Sequence, residues 1–287
     1  MSPLTASCRH PTRLAPFLLV AGLAGLQAPP VRSAEEGTRR PPNLDAERAV
    51  FRGIRRTPVP AVKVRPGAHA VVVVGLGADA AQSARMHEEA ENAHDAFIVR
   101  GIPAGAIIMV EPDTSGPVRR EAVLTALRSL PPPVEETWLM LIGQVADGRD
   151  GSPAFQVSGP RLSAQDLARA IAALPGQKFV MVATTLGGGI LPPLLGLPQV
   201  EAASATADSG ELSEPRFTPA WLELLQEKPA AGFRELAIAA SGRVESFCKD
   251  HNLAEGEHAQ LIDRPTAKII SAPFPPPAPG GVPAPNP

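Results

Sequence analysis

Apolar runs separated by helical patterns occupy the middle of the chain. Four of the runs are short and almost entirely apolar, without the alternation of apolar and polar residues that a half-exposed strand shows. This pattern is typical of strands buried on both faces of a sheet. A fifth run, Gln199–Ala207, has the same character with smaller side chains. We predict a strand at each of these places, and the first four are His69–Gly77, Ala106–Glu111, Thr137–Gly143 and Lys178–Thr184.

The segments between the runs have helical periodicity. Over 83–100, Met86, Ala90, Ala93 and Phe97 fall on one stripe, and Gly101 follows as a stop signal. Another segment begins with Ser163 as N-cap and Asp166 three residues later, which is close to a capping box. We predict helices over 83–100, 118–130, 164–174, 218–226 and 231–249, a short extended stretch over 152–159, and a closing strand over 259–263.

Alternation of strands and helices predicts the fold class. Parallel strands need crossover connections, and the crossover helices then cover both faces of the sheet. We therefore predict an α/β three-layer sandwich, with a mainly parallel sheet between two layers of helices. No internal repeat is present, so one domain over 67–270 is the economical interpretation.

The two ends of the chain lack this pattern. Arg9, His10 and Arg13 precede an apolar stretch over 14–26, and cleavage before Ala34 would follow Val31 and Ser33. Residues 1–33 are thus typical of a signal peptide, with an uncleaved apolar segment as the alternative. We predict a basic, Pro-rich linker or leader arm over 34–66 and a disordered Pro-rich tail over 271–287.

These ends imply an exported protein, periplasmic or extracellular, with no membrane span after signal removal. Cys8 would leave with the signal, so no internal disulfide is expected. The remaining thiol, Cys248, lies in a helical pattern and is more typical of a buried small hydrophobe than of a reactive group.

Charge and composition weigh against nucleic acid as a partner. The formal net charge is −2. Residues 1–34 carry three Arg and no acidic residue, residues 35–66 carry eight Lys or Arg against four Asp or Glu, and residues 271–287 carry no charge. Residues 67–270 are left with a net charge of −9, and aromatic residues make up only 4% of the chain. An acidic domain with few aromatic side chains does not suit a phosphate backbone or stacked bases.

Several motifs admit a specific and an ordinary interpretation. Gly75 and Gly77 belong to a G-x-G-x-x-A pattern of nucleotide-binding turns, but Glu111 lies too far along for the expected ribose ligand, so a tight turn is the simpler interpretation.

His87, Glu91 and His94 share a helix face and could hold zinc, although such a flank is usually a solvated one. The pair Asp147 and Asp150 is more typical of a solvated loop. We expect no metal and no cofactor.

Two predicted strands end in segments that suit a binding cleft. In "WLMLIGQVADGRDG" the apolar run stops at Gly143 and delivers Gln144, which neither titrates nor attacks. In "ATTLGGGI" Thr184 and Thr185 precede three glycines whose N–H groups could point at a ligand. Ligands of α/β sheets bind at the carboxyl ends of strands, so these two loops are the predicted site.

The order of these stretches resembles the caspase/legumain-like cysteine peptidases, particularly bacterial exported members, over about His69 to Asp263. The similar stretches are "AVVVVGLGADA", the segment from "WLMLIGQVADG" to "AIAAL", "KFVMVATTLGGGILPPL", "VEAASATADSGE" and "EHAQLID". In that family the third strand ends in His-Gly, and the fourth leads into Cys followed by Ser-Gly. Here Gln144 and Val145 stand at the first pair, and Thr185 stands at the nucleophile, or Leu186 if the register slips by one.

The resemblance implies a caspase-like fold whose catalytic dyad is lost, with Gly187 and Gly188 in place of Ser-Gly. A threonine hydroxyl without a base is a poor nucleophile. We therefore expect a pseudo-peptidase whose cleft, lined by Gly143, Thr184, Gly187 and Gly188 with the two dyad positions, binds a peptide or protein. The alternatives are an active hydrolase using Thr185 with another base, such as His69 or an acidic loop residue, and a nucleotide-binding domain using Gly75 and Gly77.

Overall fold

The structure is a computed structural model that describes residues 63–114, 116–148, 150–207, 215–253 and 258–274. The expected signal peptide over 1–33, most of the arm over 34–66 and most of the tail over 271–287 lie outside these residues.

The core of the fold is a sheet of seven strands in the order β2-β1-β3-β6-β7-β8-β9, to which β4 and β5 add a small antiparallel extension at β3. Strands β2, β1, β3, β6 and β7 run parallel to one another. Strand β8 pairs antiparallel with β7, and β9 pairs antiparallel with β8. Their bounds are β1 Ala68–Val74, β2 Ile107–Val110, β3 Glu136–Asp147, β4 Pro153–Phe155, β5 Leu162–Ser163, β6 Gln177–Thr185, β7 Val200–Ser204, β8 Gln260–Asp263 and β9 Lys268–Ser271.

Five helices cover the two faces of this sheet. Their bounds are α1 Ala80–Val99, α2 Arg120–Arg128, α3 Ala164–Ala172, α4 Phe217–Glu227 and α5 Phe233–Asp250, with 3-10 turns at Ala104–Ala106, Gly187–Ile190 and Pro192–Leu194. The helices α1, α4 and α5 bury one face, and α2 and α3 bury the other. The predicted α/β three-layer sandwich with a mainly parallel sheet is confirmed.

Alternation along the central strands divides the core in two. In β3, Trp138 faces α1, α4 and α5, whereas its neighbour Leu139 faces α2 and α3. Trp138 stacks on Phe179 with ring centroids 4.3 Å apart and lies within 6.1 Å of Trp221. Aromatic side chains are few in this chain, and their concentration here fills the space under three helices with large, rigid groups.

Several helix boundaries differ from the prediction by two or three residues, and local contacts explain two of the differences. The first helix starts at Ala80 rather than Ser83, because Asp79 caps it by accepting a 2.7 Å hydrogen bond from the Gln82 N–H. The second starts at Arg120 rather than Val118, because Val118 O accepts from the Ser158 N–H at 2.7 Å. That bond holds the chain extended before α2.

The strand pattern at the end of the domain also differs from the prediction. The closing strand is present as β8, and β9 follows it as an unpredicted antiparallel partner. Beyond β9 the Ala272 N–H bonds to Ala259 O at 2.8 Å, and Phe274 is buried. The fold therefore continues a few residues past the predicted start of the tail at 271. Among the described residues no helix is long and apolar enough to cross a membrane.

Candidate functional site

The carboxyl ends of β3 and β6 bring Gln144 and Thr185, the two predicted dyad positions, side by side. Gln144 pairs with Thr185 in the parallel ladder, and Gly143 pairs with Thr184 one step earlier. Residues paired in this way lie on the same face of the sheet, here the face of α1. The prediction that β3 stops at Gly143 was wrong, because β4 folds back and pairs Val145 with Phe155. Gln144 is thus a strand residue with neighbours on both sides.

Three glutamine side chains form a hydrogen-bonded row at this edge. Gln144 Nε2 donates to Gln82 Oε1 at 2.9 Å, and Gln156 Nε2 donates to Gln144 Oε1 at 3.4 Å. The three residues come from α1, β3 and the residue after β4, and each is half-buried. We call Gln82, Gln144 and Gln156 the glutamine relay.

The turn between β1 and α1 packs against the relay. A Cβ on Gly75 would lie 2.6 Å from Gln156 O, so only glycine permits this approach. The Leu76 N–H donates to Gln156 O at 3.0 Å, and the Ala78 N–H donates to Gln82 Oε1 at 2.6 Å. Since protein groups already accept these N–H bonds and Asp79 caps the helix, the turn is poorly suited to a phosphate. The geometry weighs against the nucleotide alternative.

After Thr185 the chain turns sharply through Leu186, whose φ of 56° and ψ of 25° lie in the left-handed region. This conformation is unusual for a residue with a side chain and costs of the order of 1 kcal/mol. Leu186 packs partly against the core on the side of α2 and α3. It offers no nucleophile, so a register slip of one residue would place an inert side chain at the attacking position.

A buried group of hydroxyls holds the glycines that follow. Thr206 Oγ1 accepts from the Gly187 N–H at 2.9 Å and donates to Thr184 O at 2.8 Å. Ser204 Oγ donates to Thr206 O at 2.7 Å. A Cβ on Gly187 would lie 2.4 Å from Ser204 Oγ and 2.7 Å from Thr184 Oγ1, so glycine is required there. The end of β7 therefore fixes the turn after β6.

The glycine amides are largely engaged inside the protein. Besides Gly187, the Gly188 N–H lies 3.4 Å from its acceptor, Ala207 O, and the Gly189 N–H lies 3.4 Å from Leu186 O. Gly187, Gly188 and Thr184 are buried, and Thr184 Oγ1 has no hydrogen-bond partner. The solvent-facing part of the site is formed instead by Thr185 and the glutamine relay, which are only half-buried.

No base is found beside Thr185 in the described residues, where its hydroxyl has no hydrogen bond to an imidazole or a carboxylate. The suggested base, His69, pairs with Thr137 at the opposite end of the sheet, and its Nε2 lies 3.0 Å from Pro133 O. Thr137 and Gln144 are seven residues apart on β3, roughly 23 Å at the rise of a strand. His69 is therefore too far away to take a proton from Thr185.

The other candidate residues serve local roles. His87 Nδ1 lies 2.7 Å from Glu111 Oε2, whereas His94 lies near Asp95, so the two imidazoles do not converge. The part of the chain that the structure describes contains no group of three metal-ligating side chains. Asp150 accepts hydrogen bonds from Ser152, which lower the pKa of its carboxyl group. Asp147 is an exposed residue at the end of β3, and Cys248 is buried, as expected.

Comparison with known proteins gives likenesses of structure. No protein-family model and no curated protein sequence matches the chain. A structural-genomics target from Geobacter sulfurreducens is similar at 11% identity and a TM-score of 0.46, over 68% of this chain and 92% of that one. Caspase-1 of Spodoptera frugiperda is similar at 11% identity and a TM-score of 0.45, over 67% of this chain and 81% of that one. A caspase is thus among the proteins of similar structure.

The sequence did not reveal four residues that shape this site. Gln82 and Gln156 complete the relay, and Ser204 and Thr206 hold the turn after β6. The hydroxyls occur in "VEAASATADSGE", where two polar residues interrupt small apolar ones, and this was the available signal. Gln82 had no such signal, because a glutamine in the first turn of a helix is ordinarily a solvated residue.

Proposed function

We propose that the protein is a catalytically inactive relative of the caspase/legumain-like cysteine peptidases that binds a peptide or protein segment. The main support for this proposal is the pairing of Gln144 on β3 with Thr185 on β6. In the resembling family a histidine and a cysteine occupy these places. The positions are retained at adjacent strand ends, while both side chains have lost the chemistry of the dyad.

The chemistry of these two side chains supports inactivity. A carboxamide does not exchange protons near neutral pH, so Gln144 is no general base. A hydroxyl without a base is a weak nucleophile, and no base is hydrogen-bonded to Thr185 in the described residues. Binding needs neither property. A half-buried edge with amide groups and a hydroxyl retains the hydrogen-bonding capacity that a peptide requires.

We also propose export to the periplasm or the extracellular space, on the strength of the sequence over 1–33. The chain would then act outside the cytoplasm on a segment of another protein. The identity of that protein is a matter for capture experiments. Neither a metal nor a cofactor enters the proposal.

The test separates geometry from chemistry. The full chain is assayed for cleavage of a fluorogenic peptide library and for binding of the same peptides by fluorescence polarisation. We expect binding without turnover. Restoring the dyad by Gln144→His with Thr185→Cys should give a thiol that reacts about tenfold faster with iodoacetamide at pH 6.5 than Thr185→Cys alone, because a neighbouring imidazole favours the thiolate.

The control thiol is Thr125→Cys on the exposed face of α2, with and without Gln144→His. Its reaction rate should be the same in both backgrounds. Turnover by the wild-type chain that disappears in Thr185→Ala would overturn the proposal in favour of the hydrolase alternative. Equal thiol reactivity with glutamine and histidine at position 144 would show that the two positions do not form a dyad site.

A further inference from the structure

The glutamine relay has a direction. Each carboxamide has one acceptor oxygen and one donor nitrogen. Gln144 uses its nitrogen towards Gln82 and its oxygen towards Gln156, at 2.9 and 3.4 Å. The central residue therefore has both kinds of group engaged. The relay must end in a donor nitrogen on Gln82 and in an acceptor oxygen on Gln156.

Both ends of the relay are open. Within the described residues, Gln82 Nε2 and Gln156 Oε1 make no hydrogen bond, and neither belongs to the buried atoms that lack a partner. Gln82 Oε1 is already shared by Gln144 Nε2 and the Ala78 N–H. Its amide group is thus held in one orientation, with the nitrogen as the remaining atom.

The surrounding backbone keeps the relay in place. The Gln156 N–H donates to Gln144 O at 2.9 Å, and Gln156 O accepts from the Leu76 N–H at 3.0 Å. These bonds tie the relay to β3 and to the turn before α1, where Gly75 allows the close approach. A site whose polar groups are held before the ligand arrives loses less entropy on binding.

The open ends favour a neutral ligand that offers both a donor and an acceptor over a charged group that offers only one. A carboxylate accepts hydrogen bonds and would satisfy only Gln82 Nε2, whereas an ammonium group donates and would satisfy only Gln156 Oε1. The other end would then lose water without a replacement, which lowers affinity. An extended peptide offers one N–H and one C=O in nearly every residue and can satisfy both.

We propose that the glutamine relay recognises the main-chain amides of an uncharged peptide segment, with Gln82 Nε2 as donor and Gln156 Oε1 as acceptor. This inference rests on the proposed function and adds the chemistry of its ligand. The relay also gives Gln144 a role. It joins the two recognising side chains and fixes which of their atoms face the ligand.

The test replaces the outward nitrogen of Gln82 and keeps the oxygen that accepts hydrogen bonds inside the protein. Gln82→Glu retains an oxygen for the Ala78 N–H and for Gln144 Nε2 but replaces the outward nitrogen with a second oxygen. The probes are labelled, N-acetylated and C-amidated tetrapeptide pools, one uncharged, one containing lysine and one containing glutamate. We expect the full chain to prefer the uncharged pool and Gln82→Glu to bind that pool at least tenfold more weakly.

The matched control is Gln165→Glu, the same change at an exposed position in the first turn of α3, and its affinity should equal that of the wild-type chain. A further probe is an uncharged peptide in which the N–H that would donate to Gln156 Oε1 is replaced by an ester oxygen. Because this peptide cannot donate to Gln156, it should bind Gln156→Leu and the wild-type chain with nearly equal affinity. Unchanged affinity in Gln82→Glu, or preference for a charged pool, would overturn the inference while leaving peptide binding intact. Binding of no pool by the wild-type chain would contradict the proposed function itself.

Discussion

At the scale of single residues, the atoms beside a glycine at a strand end determine whether another residue could replace it. A Cβ added to Gly75 or Gly187 would lie only 2.6 or 2.4 Å, respectively, from a protein oxygen. Gly196, by contrast, has open space around it. The sequence does not separate these glycines, and only the structure shows that Gly75 and Gly187 are required whereas Gly196 tolerates a side chain.

Gly187→Ala should lower the free energy of unfolding by about 1–3 kcal/mol, the usual cost of forcing a methyl group into a packed interior. The methyl group would press on Ser204 and Thr184, which hold the turn after β6. Urea denaturation measures the change. Gly196→Ala is the matched control and should leave the midpoint nearly unchanged. Equal effects at both positions would mean that the turn yields easily.

The proximity of Gln144 and Thr185 could be predicted from the sequence, and the glutamine relay could not. Gln144 and Thr185 each follow an apolar run, and neighbouring parallel strands end together, so their proximity follows from the pattern. Gln82 and Gln156 lie in a helix and in a short excursion whose placement depends on the fold-back of β4 onto β3. Periodicity contains no information on such a side-chain contact.

At the scale of elements, Arg100 joins α1 to the connection between α4 and α5. Its guanidinium donates to Pro229 O and Ala231 O, both at 3.0 Å, and lies 4.2 Å from the centroid of the Trp138 ring. Burial, with a contribution from Arg65, lowers the pKa of Arg100 to about 10. The side chain nevertheless stays charged at neutral pH, and it satisfies two carbonyls at the amino end of the sheet.

Arg100→Leu should therefore destabilise the protein by about 2–4 kcal/mol, since two carbonyls lose their donor and the ring contact is lost. Chemical denaturation followed by tryptophan fluorescence is suitable, because Trp138 reports on the same place. Arg128→Leu, at the exposed end of α2, should change stability by no more than about 0.5 kcal/mol. A small effect of Arg100→Leu would show that water reaches these carbonyls.

Asp263 connects β8 to α5 through Arg234, and Thr266 donates to the same carboxylate. The hydrogen bond from Thr266 and the charge of Arg234 lower the pKa of Asp263 despite its burial. A lowered pKa contributes stability that is present above about pH 4, the ordinary range of a carboxyl group. The contribution is lost as the pH falls through the lower pKa of the folded state.

We expect the wild-type melting temperature to fall between pH 5 and pH 3, and Asp263→Asn to reduce the slope while lowering stability by about 1 kcal/mol at pH 7. Thermal melts across this range measure both effects. Asp250→Asn, at the exposed end of α5, is the charge-matched control and should keep the wild-type slope. An unchanged slope in Asp263→Asn would assign the acid sensitivity to other carboxylates.

Some element boundaries followed local signals in the sequence, and others depended on tertiary bonds. Ser163 caps α3 as predicted, with the Asp166 N–H 3.1 Å from its hydroxyl. In contrast, the start of α2 depends on a bond to Ser158, and β3 is prolonged by β4. The start of α1 is a third case, because its cap, Asp79, is local but was not recognised in the sequence. Strand β9 has only four residues, of which Ile269 and Ile270 are half-buried and the other two are exposed, so its apolar signal is too weak to predict.

At the scale of the whole molecule, the fold places its two chemistries at opposite ends of the sheet. The amino end contains the charged cluster of Arg100, Arg65 and Glu136, which is structural. The carboxyl end contains the glutamine relay and Thr185, together with Asp79, which caps α1, and Asp147, which ends β3. The parallel arrangement of β1, β3 and β6 brings the turns that follow them to the same end of the sheet, where α/β folds usually bind ligands.

Export is a prediction about the whole chain. If residues 1–33 are a signal peptide, the mature protein begins at Ala34, and expression with an intact leader should deliver it outside the cytoplasm. Mass spectrometry of the intact protein from periplasmic and cytoplasmic fractions measures both the new N-terminus and the location. Substitution of Ser33 by arginine should block cleavage. A full-length chain retained in the cytoplasm would contradict the prediction.

The two outer strands bear on aggregation. Strands β2 and β9 have four residues each, Pro103 and Pro112 flank the first, and the second contains Lys268 and is followed by Pro273. Short edges bounded by proline or marked with lysine are poor templates for a further strand from another molecule. The most apolar strands, β1, β3 and β6, lie inside the sheet. Self-association into fibrils would therefore require the sheet to open first.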